Sequence, residues 1–240
     1  MTRIAEKINK VKDVINSTCA KIGRDTSQIK LVVVTKSVEI DTISEVIGLG
    51  ITELGENRVQ QLKKVSAQVD ELLKQAGENS ALPKKVNWHM IGHLQRNKVQ
   101  GILGLTSMIH SVDTLRLAEE INSSAEKMDL CPRVLLQVNT SEEPQKYGVP
   151  VGAAIHLAEQ FETMPNVRLC GLMTIGPLTN DTDSIRACFA RMKELFIEIR
   201  KSRLVGPHFD QLSMGMSHDY QIAIEEGTTM LRIGSAIFTS

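Results

Sequence analysis

The stretch QIKLVVVTKSVEIDTISEVIG, residues 28–48, contains one strand and one helix in succession. Residues 31–34 are consecutive aliphatic side chains, which is typical of a parallel strand that is buried on both faces. Ile43, Val46 and Ile47 then recur at helical spacing, which predicts an amphipathic helix. Because a short polar turn joins the two elements, the stretch predicts one βα unit of a parallel sheet.

Similar units recur along the whole chain. The predicted strands are Lys30–Thr35, Ile51–Leu54, Val86–Ile91, Ser107–Ser111, Arg133–Val138, Val167–Leu172, Phe209–Leu212 and Thr229–Ile233. The predicted helices are Asp41–Gly48, Asn57–Gln75, Asp113–Lys127, Val151–Glu162, Asp181–Lys201 and Ser217–Glu226. Eight units in 240 residues leave about 30 residues for each, and no G-x-G-x-x-G follows the first strand. The pattern favours an α/β fold with one (β/α)8 TIM barrel over a doubly wound sheet.

The N-terminal segment, residues 1–23, carries a different pattern. Apolar side chains recur every three or four residues from Ile4 to Ile22, and Gly23 ends the pattern. We expect a helix that covers the barrel, with residues 1–240 forming a single barrel domain. The polar stretch Lys74–Lys85 predicts a surface loop.

Charge and composition exclude several classes of protein. The 28 basic and 28 acidic residues give a net charge of zero, so no binding of nucleic acid or of an anionic membrane is expected. The sequence has no signal-peptide pattern and no apolar run of membrane-spanning length. Cys19, Cys131, Cys170 and Cys188 lack zinc-ligand spacing and predict reduced thiols. We therefore expect a cytoplasmic protein, and a monomer, because no long exposed apolar stripe is evident.

Two loops near the end of the chain predict a phosphate site. Loops after the seventh and eighth strands of TIM barrels frequently bind phosphate. The residues concerned are Ser213, Met214, Gly215, Met216 and Ser217 after the seventh strand, and Arg232, Ile233, Gly234 and Ser235 in the eighth. Such Gly- and Ser-containing loops, followed by helix starts, expose backbone N–H groups to an anion. The alternative is that the glycines only permit tight turns.

Lys36 follows the first strand directly and predicts a reactive amine. It should point into the barrel mouth, where partial burial would favour the neutral amine that forms Schiff bases. A lysine opposite a phosphate site fits a phosphorylated aldehyde: either pyridoxal 5′-phosphate (PLP) or a sugar phosphate in a lysine-dependent aldolase. Arg232 slightly favours PLP, because an arginine can face the pyridine nitrogen; the alternative is a salt bridge at the rim.

Several other side chains near the strand ends have two interpretations. His89 and His93 are four residues apart but lack the Glu of a zinc-binding helix, so His89 is predicted to line the mouth or to form hydrogen bonds within it. Trp88 alternates with His89 and is expected to pack outward under a helix. Glu56 and Asp219 are candidates for proton transfer or for helix capping. Four methionines predict either packing or an apolar wall for a ring: Met90, Met173, Met214 and Met216.

These residues lie in blocks that resemble the pyridoxal phosphate homeostasis family, the YggS/PROSC-type proteins related to the barrel domain of alanine racemase. The resemblance extends from about Leu31 to Phe238. The blocks are Lys36, Gly55-Glu56-Asn57, WHMIGHLQ (88–95) with Asn97-Lys98, QVNTS (137–141), GLMTIG (171–176), LSMGMS (212–217) with Asp219, and RIG (232–234) with Ile237-Phe238. Arg58 stands where the family usually has tyrosine.

The resemblance implies a (β/α)8 barrel that holds PLP as a Schiff base on Lys36. Arg232 would face the pyridine nitrogen, and Asn57 would lie near the ring. The phosphate would contact Ser213, Gly215 and the backbone of residues 233–235. The remaining members of the expected cofactor site are His89, Met173, Met214, Met216 and Ser217.

The resemblance also implies a role in vitamin B6 homeostasis rather than an established catalytic activity. A protein that buffers PLP, or delivers it to apo-enzymes, is the expected function. Arg232 would keep the pyridine nitrogen unprotonated and weaken the ring as an electron sink, and we expect no second domain that supplies a tyrosine base. The alternatives are a slow PLP enzyme, such as an amino-acid racemase, and the lysine-dependent aldolase.

Overall fold

A computed structural model describes residues 2–77, 80, 82–202 and 204–239 of the chain. The strands are β1 (Lys30–Val34), β2 (Glu53–Glu56), β3 (Asn87–Met90), β4 (Thr106–Val112), β5 (Arg133–Asn139), β6 (Val149–Pro150), β7 (Arg168–Met173), β8 (Gln211–Ser213) and β9 (Met230–Ile233). The α-helices are α1 (Arg3–Lys21), α2 (Ile40–Gly48), α3 (Val59–Ala76), α4 (Leu115–Lys127), α5 (Val151–Gln160), α6 (Thr182–Lys201), α7 (Tyr220–Glu225) and α8 (Ser235–Phe238).

Eight of the strands close into a parallel barrel. Their order around the barrel is β1, β2, β3, β4, β5, β7, β8 and β9, and β9 pairs with β1 to complete the circle. The two-residue strand β6 only extends the edge of β5. The (β/α)8 TIM barrel predicted from the sequence is therefore confirmed.

The predicted strands and helices agree with the observed ones except at the start of β2, between β3 and β4, and at the end of α3. Every predicted strand is present, and the largest shift is at β2, which begins at Glu53; Ile51, predicted as its first residue, is buried just ahead of it. Residues 91–105, all of them described, link β3 to β4 by a 3-10 helix, Arg96–Gly101, instead of an α-helix. Helix α3 extends into the predicted loop Lys74–Lys85, of which residues 78, 79 and 81 lie outside the described residues.

Helix α1 covers the barrel as predicted. The Thr2 hydroxyl caps its first turn by accepting a hydrogen bond from the Ala5 N–H at 3.3 Å. Its buried face includes Ile8, Val11 and Ile15 and packs against α2, α7 and α8. This position places α1 on the outside of the barrel, against its outer helices.

The buried side chains form two separate regions, one outside the barrel wall and one inside it. The outer core lies between the strands and the helices and is apolar almost throughout. Trp88 belongs to this outer core, as predicted. Inside the barrel, a small inner apolar cluster is formed by Met108, Leu135, Cys170, Met173 and Met230. Because this cluster is small, the rest of the barrel interior is open to polar side chains.

Two further predictions concern thiols and membranes. All four cysteines are free, and Cys131 is exposed while the other three are buried. No helix within the described part of the chain is long and apolar enough to cross a membrane.

Candidate functional site

Five neighbouring strands bring the predicted site residues to one edge of the barrel. In the register of the sheet, Val34 lies beside Gly55, and Val33 lies beside Ile233. Ser213 pairs on its two sides with residues of β9 and β7. The segments that follow β2, β1, β9, β8 and β7 therefore emerge side by side at the carboxyl end of the barrel, where TIM barrels carry their sites.

Lys36 lies just beyond β1, in a turn with unusual backbone geometry. The next residue, Ser37, has a φ of 59°, a left-handed conformation that is uncommon for residues other than glycine. Lys36 is exposed, so the partial burial expected from the sequence is wrong. It lines a cavity of about 550 Å³ together with Asn57, Arg58 and Lys64. The cavity lining carries three cationic side chains and one acidic side chain, Glu39, so its net charge suits an anionic ligand; it includes none of residues 213–217 or 232–235.

Glu56 is a buried acid one strand away from Lys36. The Thr35 hydroxyl donates a hydrogen bond to its Oε1 at 2.5 Å. Its Oε2 is buried and has no hydrogen-bond partner within the described part of the protein. Burial raises the pKa of Glu56 above 4.5, although the Thr35 and Asn57 hydrogen bonds oppose the shift. Proton transfer at Glu56 therefore stays a prediction, supported by the raised pKa and by the buried oxygen without a described partner.

Arg232 is a buried cation in β9. Its Nη1 donates to Ser213 Oγ at 2.6 Å, and its Nη2 donates to the Thr174 carbonyl oxygen at 2.8 Å. Burial lowers the pKa of Arg232 to about 10, and the charge of Asp219 acts in the opposite direction. The residue makes no ion pair with any described side chain. The salt bridge considered as its structural role is therefore absent, and the guanidinium is held by neutral oxygen atoms instead.

The loops after β8 and β9 are joined to each other. The Ala236 N–H donates to Ser217 Oγ at 3.1 Å, which links the start of α8 to the loop after β8. Within that loop, the Met216 N–H donates to Asp219 Oδ1 at 2.5 Å. Asp219 is buried, and burial raises its pKa above 3.8. Asp219 is thus an internal brace of the loop; it precedes α7, but its side chain makes no capping hydrogen bond to that helix.

Two glycines allow these loops to pack closely. Gly215 has a φ of 95°, and a Cβ there would lie 2.6 Å from the Ala223 Cβ. At Gly234 a Cβ would lie 3.0 Å from the Val34 carbonyl oxygen. The loop after β9 therefore approaches the end of β1, which carries Lys36. This close approach explains Gly234 structurally and brings the loop after β9 to the end of β1, whereas Gly215 packs against Ala223 and Leu231.

The predicted apolar residues divide between the inner apolar cluster and the outer core. Met173 belongs to the inner apolar cluster, whereas Met214 and Ile233 belong to the outer core. Met216 is only partly buried. The side chains of Met214 and Ile233 face the helices, so only their backbone atoms are oriented for contact with a ligand in the mouth.

His89 lies inside the barrel and is 1% exposed. Its Nε2 is 2.6 Å from Glu53 Oε2, and its Nδ1 is 2.8 Å from His110 Nε2. His110 Nδ1 is in turn 3.0 Å from Ser213 Oγ. These contacts extend the Arg232–Ser213 hydrogen bond, so the interior hydrogen-bond chain consists of Arg232, Ser213, His110, His89 and Glu53. Both ring nitrogens of His89 are thus engaged by protein groups.

Burial controls the ionisation of the two histidines in this hydrogen-bond chain. It lowers the pKa of His89 below 6.5, and it lowers that of His110, which is completely buried, further still. Burial alone would raise the pKa of Glu53, but hydrogen bonds from His89 and Asn87 and the charges that His89 carries in acid and Lys30 carries throughout outweigh it and lower the pKa to about 2. Near neutral pH the interior hydrogen-bond chain therefore contains one carboxylate, two neutral imidazoles and one guanidinium.

Sequence analysis does not single out Glu53 or His110. Each had a local signal, since Glu53 is a charged residue at a strand start and His110 interrupts the apolar strand TSMIHSV, residues 106–112. Neither signal identifies a partner. The closure of the barrel brings the two residues into one hydrogen-bond chain with Ser213.

His93 belongs to a different group from His89. Its Nδ1 is 3.1 Å from Asp113 Oδ2, and its ring stacks on Tyr147 with the centroids 4.1 Å apart. No group of three or more potential metal ligands occurs among the residues that the structure describes. The pair of histidines in HMIGH is therefore split between the barrel interior and its rim.

Comparisons with known proteins give the class and then the family. A family model described as the N-terminal domain of alanine racemase matches residues 15–240. The pyridoxal phosphate homeostasis protein of Aquifex aeolicus is 38% identical, over 97% of this chain and 96% of that protein. A crystal structure of an unknown protein from Bifidobacterium adolescentis has a TM-score of 0.91 at 33% identity, covering 98% of this chain and 94% of that one.

PipY of Synechococcus elongatus, solved with PLP bound, has a TM-score of 0.80 at 28% identity and covers 98% of this chain and 99% of its own. The fold and the matched region define a barrel of the alanine racemase N-terminal class. Within that class, the chain belongs to the family of pyridoxal phosphate homeostasis proteins.

Proposed function

We propose that this protein binds PLP at the carboxyl end of the barrel and acts in PLP homeostasis. The Lys36 amine would condense with the aldehyde and release water, which makes it a reversible covalent anchor. Arg232 would face the pyridine nitrogen, and Asn57 and Met173 would lie near the ring. The phosphate would occupy the joined loops after β8 and β9, at the backbone of residues 215–217 and 233–235.

The observation that carries this proposal is that Arg232 lies in β9 beside Val32 of the neighbouring strand β1, four residues before Lys36. Arg232 is a buried cation without an ion pair among the described residues, and Lys36 is an exposed amine just beyond the neighbouring strand. The glycine loop after β9 also approaches the end of β1, and loops of this kind can offer backbone N–H groups to an anion. An aldehyde that also carries an aromatic nitrogen and a phosphate matches this set of groups.

A carrier role is the form of this function that the site supports best. Bound PLP supplies an electron sink for carbanions, and its strength depends on protonation of the pyridine nitrogen. Arg232 is a donor only, so a nitrogen that accepts from it carries no proton. A site of this kind favours holding the cofactor over catalysis. The curated name of the Aquifex aeolicus relative supports the same role.

Apo forms of PLP-dependent enzymes are the proposed recipients of the cofactor. The proposed location is the cytoplasm, and four free thiols support it, because disulfides are rare there. The proposed working form is a monomer.

The visible absorption spectrum tests the site directly. The protein loaded with PLP should show an absorption band that borohydride removes irreversibly, and Lys36→Ala should lack this band. The matched control is Lys64→Ala: Lys64 lines the same cavity but is not the proposed Schiff-base lysine, so at saturating PLP this variant should keep the band. A wild-type protein that stays colourless in PLP would contradict the proposal and favour the lysine-dependent aldolase.

Two assays separate a carrier from an enzyme. A carrier should restore activity to an apo-enzyme when the loaded protein is added, and it should not exchange the α-proton of added amino acids with deuterium from the solvent. Rapid exchange would instead support a slow PLP enzyme, such as an amino-acid racemase.

A further inference from the structure

The hydrogen bonds of the interior chain all run in one direction. Arg232 at one end can only donate, and Glu53 at the other end is ionised near neutral pH and can only accept. His89 must therefore donate from Nε2 to Glu53, which leaves its Nδ1 as an acceptor. His110 then donates from Nε2 to His89, and its own Nδ1 accepts the hydroxyl proton of Ser213.

This direction determines what Ser213 is able to do. Its hydroxyl proton is committed to His110 at 3.0 Å, and its oxygen accepts from Arg232 at 2.6 Å. Ser213 is also completely buried. Its side chain is therefore a support for Arg232 and has no proton left for a phosphate oxygen, in contrast to the role that the family resemblance implies for it.

We infer that Glu53, His89 and His110 are positioning residues of the cofactor site, which act on Arg232 through Ser213 without touching the ligand. This inference rests on the proposed function, because Arg232 is the group that would meet PLP. The chain crosses the barrel interior, beginning at Glu53, the first residue of β2. There Lys30 Nζ lies 3.6 Å from Glu53 Oε1, and Asn87 donates to the same oxygen at 2.9 Å.

The chain does two things for Arg232. It supplies an acceptor whose orientation cannot reverse, since Ser213 Oγ has its proton directed away toward His110. It also joins a buried cation to a carboxylate, and hydrogen bonds in such a chain polarise one another in a low-dielectric interior. The guanidinium is held in a single orientation between Ser213 Oγ and the Thr174 carbonyl oxygen.

The first test needs no cofactor. Nitrogen-15 NMR of the histidine side chains distinguishes the two neutral tautomers from the charged form. At neutral pH, His89 and His110 should both be neutral with the proton on Nε2. A proton on Nδ1 of either ring, or a charged ring, would overturn the direction of the chain and the inference with it.

The second test measures an effect at a distance. Glu53→Gln keeps the shape of the side chain but removes its charge, at the end of the chain remote from Arg232. It should weaken PLP binding by about fivefold to tenfold and shift the absorption band of the bound cofactor. The control is Met108→Leu, because Met108 lies in the inner apolar cluster and makes no part of the chain. It should change neither quantity.

A third comparison separates hydrogen bonding from packing at His110. Asn keeps an acceptor for the Ser213 hydroxyl, whereas Leu fills the space without one. PLP should bind more tightly to His110→Asn than to His110→Leu. Three outcomes would each overturn the positioning role while PLP binding itself stands. They are an affinity of His110→Asn for PLP that is no higher than that of His110→Leu, a Glu53→Gln protein with wild-type affinity and spectrum, and an effect of Met108→Leu equal to that of Glu53→Gln.

Failure of the proposed function has a different signature. A wild-type protein that takes up no PLP would overturn both the proposed function and the positioning role, whereas the NMR tautomers would still report the direction of the chain in the protein alone.

Discussion

The two faces of the barrel wall differ in how they are stabilised. The outer face packs against the helices through apolar side chains, with Phe189, Leu54 and Ile109 fully buried. The inner face combines a small apolar cluster with the interior chain from Arg232 to Glu53. The outer face therefore contributes burial of apolar surface, which is not directional. The inner face depends on hydrogen bonds whose donors and acceptors must match, and this is where the proposed site is supported.

The largest expected effect lies on the outer face. Phe189→Ala should lower the free energy of unfolding by about 3–5 kcal/mol, because it leaves a cavity in a fully packed core. Ile197→Ala on the same helix is the control, since Ile197 is 37% exposed, and it should cost clearly less. Urea denaturation measures both. Equal losses for the two variants would show that the outer face is not the main source of stability.

The pH dependence of Glu53 sharpens the contrast between the faces. Its pKa falls from 4.5 to about 2 on folding, so its contribution is complete above pH 4.5 and is lost as the pH falls toward 2. At about 1.4 kcal/mol per pKa unit, a fall from 4.5 to about 2 corresponds to about 3–4 kcal/mol. Denaturation of the wild type and of Glu53→Gln from pH 7 to pH 2 should show two stability curves that converge in acid. Parallel curves would contradict the ionised state of Glu53.

Removing His110 tests the inner face at its centre. His110→Leu should cost about 1–3 kcal/mol, because Ser213 and His89 each lose a buried partner. The folded state lowers the pKa of His110 below 6.5, so its neutral form stabilises the protein above pH 6.5 and this stabilisation is lost at lower pH. The cost of the substitution should therefore be greatest above pH 6.5 and smaller at pH 5. Stability curves at the two pH values provide the measurement.

The smallest expected effect is a substitution within the inner apolar cluster. Met108→Leu nearly conserves volume and should change the free energy of unfolding by less than about 1.5 kcal/mol. A larger loss, measured by thermal or urea denaturation, would show that the inner cluster is as tightly packed as the outer core and would remove the contrast between the two faces.

The outer face and the strand ends were accessible to sequence reasoning. Apolar periodicity predicted the eight barrel strands, because each strand must be buried on both sides and each helix on one. Lys36 and Arg232 could be proposed because the ends of the strands meet at one edge in a barrel. The exposure of Lys36 could not be predicted in the same way, since it depends on the turn through Ser37.

The amino-acid sequence by itself determined the barrel, its covering helix and the edge at which a site can form, because these follow from periodicity and from the geometry of parallel strands. Only the tertiary structure decided that His89 faces Glu53 and His110 rather than the mouth, and that Ser213 supports Arg232. The physical reason is that hydrogen bonds are short-ranged and directional. Which donor meets which acceptor is settled only when strands that are distant in sequence close into one barrel.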